Sequence, residues 1–363
     1  MPREGGKWSV SPAARAMQGG ALAALASAVL FGVTTPFAKQ LLSGTQPLLV
    51  AGLLYLGSGV GVSTMRWVQD RGRSPTGLMG RDWLWLALST LVGGVIAPAF
   101  LMTGLTHADA ASASLLLNLE VVFTAILAWV VFKEPAGSRV VLGLCAIFAG
   151  GLILVWPASF TSAGSPHAFL AIIAACFCWA LDNNLTRKIS AGDARMLAAI
   201  KGLVAGATNT VLAFTLGASL PQAAHVAITL VLGFMGYGLS LVLFIVALRQ
   251  LGTARTGAYY ATAPFIGAAV ALVLYGQPAD GAFWVAAICM ALGVWLHVTE
   301  DHVHEHVHEP MSHSHAHTHD AHHQHEHRFD WDGREPHTHA HAHGFLRHRH
   351  AHFPDIHHRH GHE

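Results

Sequence analysis

The sequence predicts an all-α polytopic membrane protein whose ten transmembrane helices form two inverted five-helix repeats. Three observations lead to this fold class. Of the 363 residues, 53% are hydrophobic and only 11% are charged, whereas about 25% are charged in typical soluble proteins. The apolar residues form blocks of about 20, the length that a helix needs to cross the hydrocarbon of a bilayer. The second half of the chain also repeats the first at a nearly constant offset.

Ten apolar blocks are separated by short connections. Continuous apolar runs favour helices, because the strands of a membrane barrel alternate in hydrophobicity over about ten residues. The first block is an uncleaved span rather than a secretory signal, since Pro36 and Lys39 lie near its end and nine further blocks follow. The predicted spans lie near residues 19–42, 47–66, 83–105, 110–132, 139–157, 168–187, 194–216, 223–248, 253–275 and 281–299.

Lysine and arginine are distributed unevenly between the two sides of the membrane. The N-terminal segment and the alternate connections that share its side hold 14 of these cations. The loops of the opposite side contain none, and only Lys39 lies near them; these loops read SGTQ, THAD, PASFTSAGSPH, GASLPQAAH and GQPADG. Because cytoplasmic loops carry the excess of positive charge, both termini are predicted to be cytoplasmic, in the inner (plasma) membrane.

Two segments of the chain align with each other over a shift of 143 residues. LTHADAASASLLLNLEVVFTAILAWVVFKEP (105–135) lies over LRQLGTARTGAYYATAPFIGAAVALVLYGQP (248–278), so that Leu105 meets Leu248 and Pro135 meets Pro278. At a shift of 148, FGVTTPFAK (31–39) lies over WALDNNLTR (179–187). An odd number of helices per copy makes the second copy enter the membrane from the opposite side. Such inverted repeats are common in secondary transporters.

The repeat divides the chain into four parts. Residues 1–18 form a cytoplasmic N-terminus, residues 19–157 the first five-helix repeat, residues 168–299 the second repeat, and residues 300–363 a histidine-rich cytoplasmic tail.

The pattern L..A.AS.A.LLLNLEVVFTAILAW...KEP, followed by GLCAIFAGGLIL, and the second copy ALRQLGTARTGAYYATAPF resemble the EamA family of the drug/metabolite transporter superfamily. The resemblance covers roughly residues 20–299. It implies ten spans in two inverted repeats and, in most members, export of small metabolites. Val121 stands where the family often has proline, and Gln277 replaces the acidic residue of the second copy.

Asn118 and Glu120 lie within the fourth predicted span, where a charged group costs about 2.5–3.5 kcal/mol on insertion scales. Two residues apart on a helix, they diverge by about 200° and do not face one small ligand, although both can border a wide cavity. Glu120 is either a proton-coupling or cation-binding carboxylate, or it pairs with a cation or lies protonated in a packed interface.

The sixth and seventh spans contain further polar residues: Asp182 and Asn183 in CWALDNNLTRK, and Lys201 in MLAAIKGLVAGATNT. Asp182 either neutralises nearby cations or lines the inner half of a pathway together with Asn183. Lys201 either extends towards the cytoplasm or pairs with a carboxylate. A hairpin joining the two spans makes Asp182 the nearer candidate for that pair.

The ninth span contributes three further pathway candidates. Tyr259 and Tyr260 are predicted to wall a substrate site, with a membrane-interface position as the alternative. Pro264 removes one backbone hydrogen bond and permits a kink. No phosphate-binding GxxxxGK[ST] motif occurs in the sequence. We therefore expect a transporter that uses an ion or solute gradient, no enzymatic activity and no required cofactor.

The tail holds 23 of the 27 histidines, mostly spaced H-x-H, with few aliphatic residues. We expect it to be disordered without a ligand, because it has little apolar surface to bury. Its imidazoles suit nickel, cobalt, zinc and copper ions; a pH sensor is the alternative. The candidate ligands are His302, His304, His306, His308, His313, His315, His317, His319, His337, His339, His341 and His343.

Three functions remain open at this stage. The first is a secondary transporter that exports a small metabolite or drug-like solute, with a cytoplasmic tail that binds or senses metal. The second is an efflux permease for nickel, cobalt or zinc, and the third is a metal-storing or sensing membrane protein without a transport cycle. The expected partners are the lipid bilayer and a small-molecule or metal-ion substrate, with a homodimer left open and no nucleic acid.

Overall fold

The computed structural model describes residues 12–71, 78, 80–132, 138–158, 166–189, 192–251, 253–276, 279–299, 303–308, 311–317, 337–343 and 346–351. The body of the chain is helical. The first half contains α1 (Pro12–Leu41), α2 (Pro47–Asp70), α3 (Asp82–Ser89), α4 (Ala97–His107), α5 (Ala110–Leu116), α6 (Leu119–Phe132) and α7 (Ser138–Ala158). The second half contains α8 (Pro166–Arg187), α9 (Ala194–Thr215), α10 (Ala223–Gly233), α11 (Ser240–Leu251), α12 (Thr253–Tyr260), α13 (Ala263–Tyr275) and α14 (Gly281–Val298).

Both halves interrupt their helices at equivalent places. A π-helical segment, Thr90–Ile96, joins α3 to α4, and a second one, Phe234–Leu239, joins α10 to α11. A turn at Leu117 and Asn118 separates α5 from α6, and a turn at Ala261 and Thr262 separates α12 from α13. These matching irregularities agree with the sequence repeat.

Helices of each half pack against helices of the other half. α1 packs against α11 and α13 of the second half, and α8 packs against α4 and α6 of the first half. α2 packs against its counterpart α9, and α7 packs against its counterpart α14. This reciprocal pattern is the one expected of two similar units related by a pseudo-twofold axis.

Glycines allow α2 and α9 to approach closely. A Cβ atom at Gly59 would lie 2.3 Å from the backbone nitrogen of Leu203, and one at Gly202 would lie 2.4 Å from the backbone nitrogen of Gly59. Small residues at such interfaces are typical of membrane helices, since the lipid provides no hydrophobic force that would bring the helices together.

Aspartate side chains begin three of the helices. Asp109, Asp193 and Asp280 accept backbone hydrogen bonds from Ser112, Arg195 and Phe283 at 2.7, 3.0 and 2.7 Å. These bonds satisfy amide groups that the first helical turn leaves without a partner. Proline begins α2 and is the second residue of α13, where its missing amide hydrogen costs little.

Seven helical segments of the described residues are long and apolar enough to cross a membrane. Three further apolar helices are shorter, at Val141–Val155, Ala263–Tyr275 and Gly281–Leu296. The count of ten spans therefore stays a prediction. The seven segments are Gln18–Leu41, Pro47–Gln69, Asp82–His107, Ala110–Leu127, Pro166–Arg187, Ala194–Thr215 and Ala223–Leu248.

The described residues of the tail form strands beside the helical body of the chain, and the disorder of the ligand-free tail stays a prediction. Four strands form two antiparallel pairs: β1 (Val303–His308) with β4 (Leu346–Ala351), and β2 (Met311–His317) with β3 (His337–His343). The H-x-H sequence alternates residues as a strand does, and the ladder pairs backbone groups without needing an apolar core. In both pairs histidine lies opposite histidine, as at His315 and His339.

Candidate functional site

A buried ion pair joins α8 and α9. The Lys201 Nζ atom lies 2.6 Å from Asp182 Oδ1 and 2.7 Å from Asp182 Oδ2. It also donates to Thr186 Oγ1 at 3.2 Å, while the Thr186 hydroxyl donates to Asp182 Oδ1 at 2.9 Å. The side chains of Lys201 and Asp182 are only 5% and 11% exposed. The pairing that the hairpin between the sixth and seventh spans predicts is therefore present.

Glu120 lies beside this ion pair, at the start of α6. Its Oε1 atom accepts a hydrogen bond of 2.7 Å from Asn183 Nδ2 on α8. Because Asn183 follows Asp182 directly, one turn of α8 holds both the paired carboxylate and the amide partner of Glu120. The interruption between α5 and α6 places Glu120 in the first turn of a new helix rather than in mid-helix.

The first π-helical segment forms the wall beside Asp182. A Cβ atom at Gly93 would lie 2.0 Å from Asp182 Oδ2, so only glycine leaves room for the carboxylate. The Gly93 carbonyl accepts hydrogen bonds from Tyr55 Oη at 2.9 Å and from Trp179 Nε1 at 3.0 Å. The π-helical segment therefore orients two aromatic side chains through one backbone carbonyl.

Aromatic rings from both halves surround the polar groups. The ring of Phe31 lies 5.9 Å from Trp179, 5.8 Å from Tyr237 and 5.6 Å from Tyr260, measured between centroids. The same measure gives 5.0 Å from Tyr55 to Tyr237 and 4.8 Å from Phe244 to Tyr260. These separations are typical of favourable aromatic pairs. Phe31 and Trp179 are equivalent positions of the repeat.

These groups line one cavity of about 80 Å³ between the two halves. Five of the predicted pathway residues border it: Glu120, Asp182, Asn183, Lys201 and Tyr260. The other three are not among the lining residues. The structure therefore brings together side chains that are 140 residues apart in the chain, including Glu120 and Tyr260.

Asn118, Tyr259 and Pro264 are the predicted residues that lie outside the cavity lining. Asn118 is fully buried, and its amide donates to the Leu115 carbonyl at 3.1 Å. This agrees with the expected divergence of Asn118 from Glu120 around the helix. Tyr259 is half-buried, and Pro264 is buried in the first turn of α13, where it begins a helix instead of kinking one.

Sequence reasoning missed several lining residues, among them Phe31, Tyr55, Tyr237, Ser240 and Phe244. All five are residue types that packed membrane helices commonly contain, so residue type alone does not predict that they line a cavity. A signal existed for Phe31, because the repeat aligns it with Trp179.

Polar contacts close the bundle around the end of α1. Lys39 Nζ donates to the backbone carbonyls of Leu105 and Thr106 at the end of α4, the second at 3.1 Å. Tyr275 Oη donates to the Pro36 carbonyl at 2.8 Å, and the His225 ring lies 3.0 Å from the Leu41 carbonyl through Nε2. Asp182 lies in the second half of α8 and Lys201 in the first half of α9.

Most of the predicted tail ligands lie in the paired strands. His304, His306 and His308 lie in β1, His313, His315 and His317 in β2, and the four from His337 to His343 in β3. His302 and His319 lie outside the described residues. Elsewhere in the described chain, no group of three or more histidine, cysteine or acidic side chains is arranged to hold a metal ion.

An apolar helical bundle that encloses charged and aromatic side chains around a cavity defines a multi-pass membrane protein of the transporter class. The EamA-like transporter family matches residues 18–156 and 167–299, one match for each half. The chain belongs to this family, and it is a membrane transporter of the drug/metabolite type.

Similar proteins agree with this assignment. An uncharacterized transporter from Methanothermobacter thermautotrophicus is 26% identical over 298 residues, which are 76% of this chain and 85% of that protein. An uncharacterized transporter from Synechocystis sp. is 29% identical over 134 residues, 37% of this chain and 39% of that protein. A solved structure described only as a protein crystal structure has a TM-score of 0.58 at 18% identity, over 76% of this chain and 94% of its own. This last likeness concerns the fold alone.

Proposed function

We propose that the protein is a secondary exporter of a small metabolite or drug-like solute, which binds in the cavity beside Glu120, Asp182 and Asn183. The observation that carries the proposal is the position of this cavity. It lies between two halves that exchange their helix contacts, and it contains charged groups that would be costly in lipid. A site between two inverted repeats is accessible from each side in turn when one half moves against the other.

The proposed cycle uses ten spans in two inverted repeats, with both termini in the cytoplasm of a cell bounded by its inner (plasma) membrane. The contacts of Lys39, Tyr275 and His225 then close the outer side of the bundle. The outward-open state requires these contacts to break and equivalent contacts to form on the inner side. No cofactor takes part, and a homodimer is compatible with this cycle.

The direct test is metabolite profiling of the culture medium. Cells that express the full chain are compared with cells that carry an empty vector and with cells that express Asp182→Asn. Solutes that accumulate outside only with the full chain are the expected result. Identical profiles in the three cultures, with the full chain shown to be present in the membrane of the cells that express it, would contradict export.

We propose further that the tail binds nickel, cobalt, zinc or copper. The strand register supports this, because residues directly opposite each other in an antiparallel ladder have Cβ atoms about 5 Å apart. The register pairs His313 with His341, His315 with His339 and His317 with His337. Titration calorimetry of the peptide 300–363 near pH 7 should show more than one bound nickel or zinc ion, with proton release. Absence of heat would overturn the proposal.

Metal efflux is the alternative function, favoured by the tail alone. The cavity offers two carboxylates, one of which is already paired with Lys201, and this donor set is poor for a transition metal. Elemental mass spectrometry of metal-challenged cells distinguishes the alternatives. Lower cellular metal with residues 1–300, relative to the empty vector, would make metal the cargo of the core. Retention of metal that depends on the tail alone would favour storage or sensing.

A further inference from the structure

The charges of the cavity do not balance. Three charged side chains line it: Asp182, Lys201 and Glu120. Asp182 and Lys201 neutralise each other at 2.6 Å. Glu120 accepts a hydrogen bond from the uncharged amide of Asn183, and the described salt bridges do not include it. With Glu120 ionised, the lining therefore carries one net negative charge.

Lys201 has no free hydrogen-bond donor with which to bind an anion. A lysine ammonium has three donors, and here they point to both oxygens of Asp182 and to the hydroxyl of Thr186. An anionic substrate would have to displace a buried carboxylate from this ammonium while facing Glu120. The ion pair therefore holds the structure of the cavity wall, and the carboxylate of Glu120 remains for the ligand.

The aromatic walls also favour a ligand with a positive charge. Rings attract cations through the negative potential of their faces, most strongly where the cation is desolvated. The Phe31 ring lies within 6 Å of the rings of Trp179 and Tyr260 in the lining, and Tyr237 and Tyr55 extend the same wall. Carboxylate and rings together are a recognition site for an ammonium group.

The cavity limits the size of the group that enters in this conformation. Its volume of about 80 Å³ is below the roughly 150 Å³ of an engineered cavity that holds benzene. The cavity in this conformation therefore takes only a small ligand group, and larger ligands, aliphatic or aromatic, require it to widen.

We propose that the cavity binds organic ammonium ions without a carboxylate group, with the cationic nitrogen against Glu120 and the aliphatic part against the aromatic rings. This rests on the proposed function, whose substrate class it specifies. Small amines and quaternary ammonium compounds belong to this class, while carboxylates and zwitterionic amino acids do not.

The test compares ligands of one shape and different charge. Isobutylamine, isobutanol, isobutyrate and valine are titrated against the purified full-length protein, and the rise in its unfolding temperature reports binding to the folded state. The amine should bind at least about tenfold more tightly than the alcohol, with no shift from isobutyrate or valine. Equal or stronger binding of isobutyrate or valine overturns the proposal and needs no variant.

Two variants locate the site. Glu120→Gln should reduce the affinity for isobutylamine to that for isobutanol. Asp280→Asn exchanges a carboxylate for an amide outside the cavity lining and should leave both affinities unchanged. An unaltered preference for the amine in Glu120→Gln would contradict the role of Glu120.

Transport is measured separately, as exchange of labelled isobutylamine across liposomes that contain the protein. Binding without exchange would leave the ligand class intact and contradict export. Export of other solutes without amine binding would support export and overturn the proposed ligand class.

Discussion

Glu120 is a carboxylate with an amide partner in a cavity that otherwise contains a closed ion pair. Glu120→Gln retains the shape of the side chain and removes the charge. We expect transport to be abolished while the amount of protein in the membrane is unchanged, measured as solute efflux from cells with quantification of the inserted protein. Asp280→Asn is the matched control because asparagine caps a helix as well as aspartate does. Full activity of Glu120→Gln would remove this residue from the mechanism.

The Asp182–Lys201 pair makes a different prediction. Lys201→Met leaves a buried carboxylate without its cation, and the loss of one partner of a buried pair typically costs about 3–5 kcal/mol of unfolding free energy. The double variant Lys201→Met with Asp182→Asn carries no buried charge at these positions, so it should be more stable than Lys201→Met alone. Thermal unfolding of the two proteins in the same detergent compares them. Equal unfolding temperatures would mean that the pair is not energetically coupled.

At the scale of elements, the contact between α2 and α9 allows a direct test of the helix packing. Gly202→Ala places a Cβ atom 2.4 Å from the backbone of Gly59, so the two helices must separate. Overpacking of this kind costs about 1–3 kcal/mol, and we expect a lower unfolding temperature. Gly257→Ala in α12 is the control, because no atom lies within 4 Å of the added Cβ. Equal unfolding temperatures for the two variants would contradict the close approach.

The interruptions of helices are also an element-scale feature. The π-helical segment Thr90–Ile96 brings Gly93 against Asp182, and Phe234–Leu239 brings Gly236 against Thr34. Gly93 and Gly236 are 143 residues apart, the offset of the sequence repeat. Each interruption therefore creates a close contact with the first helix of the other half, and only one of the two contacts carries a carboxylate.

At the scale of the whole molecule, the predicted topology places the loop after α9 outside and the loop before α7 inside. Ser219 and Ser138 are exposed residues of these two regions. In a variant without the four native cysteines, Ser219→Cys should react with a membrane-impermeant maleimide added to intact cells. Ser138→Cys should react only after the membrane is permeabilised. The reverse pattern would show that the topology is opposite to the predicted one and would contradict the proposed direction of transport.

The sequence by itself determined the membrane class and the two-repeat organisation, and five of the eight residues that it predicted for a pathway border the cavity. It did so because a charged group in hydrocarbon is costly, so Glu120, Asp182 and Lys201 stand out from an apolar background. Only the tertiary structure decided that Asn118 packs away from the cavity and that Phe31, Tyr55 and Tyr237 wall it. Aromatic residues are ordinary in membrane helices, and their role depends on which helices of the two halves meet. The backbone pairing of the histidine-rich tail likewise depends on contacts between segments far apart in the chain.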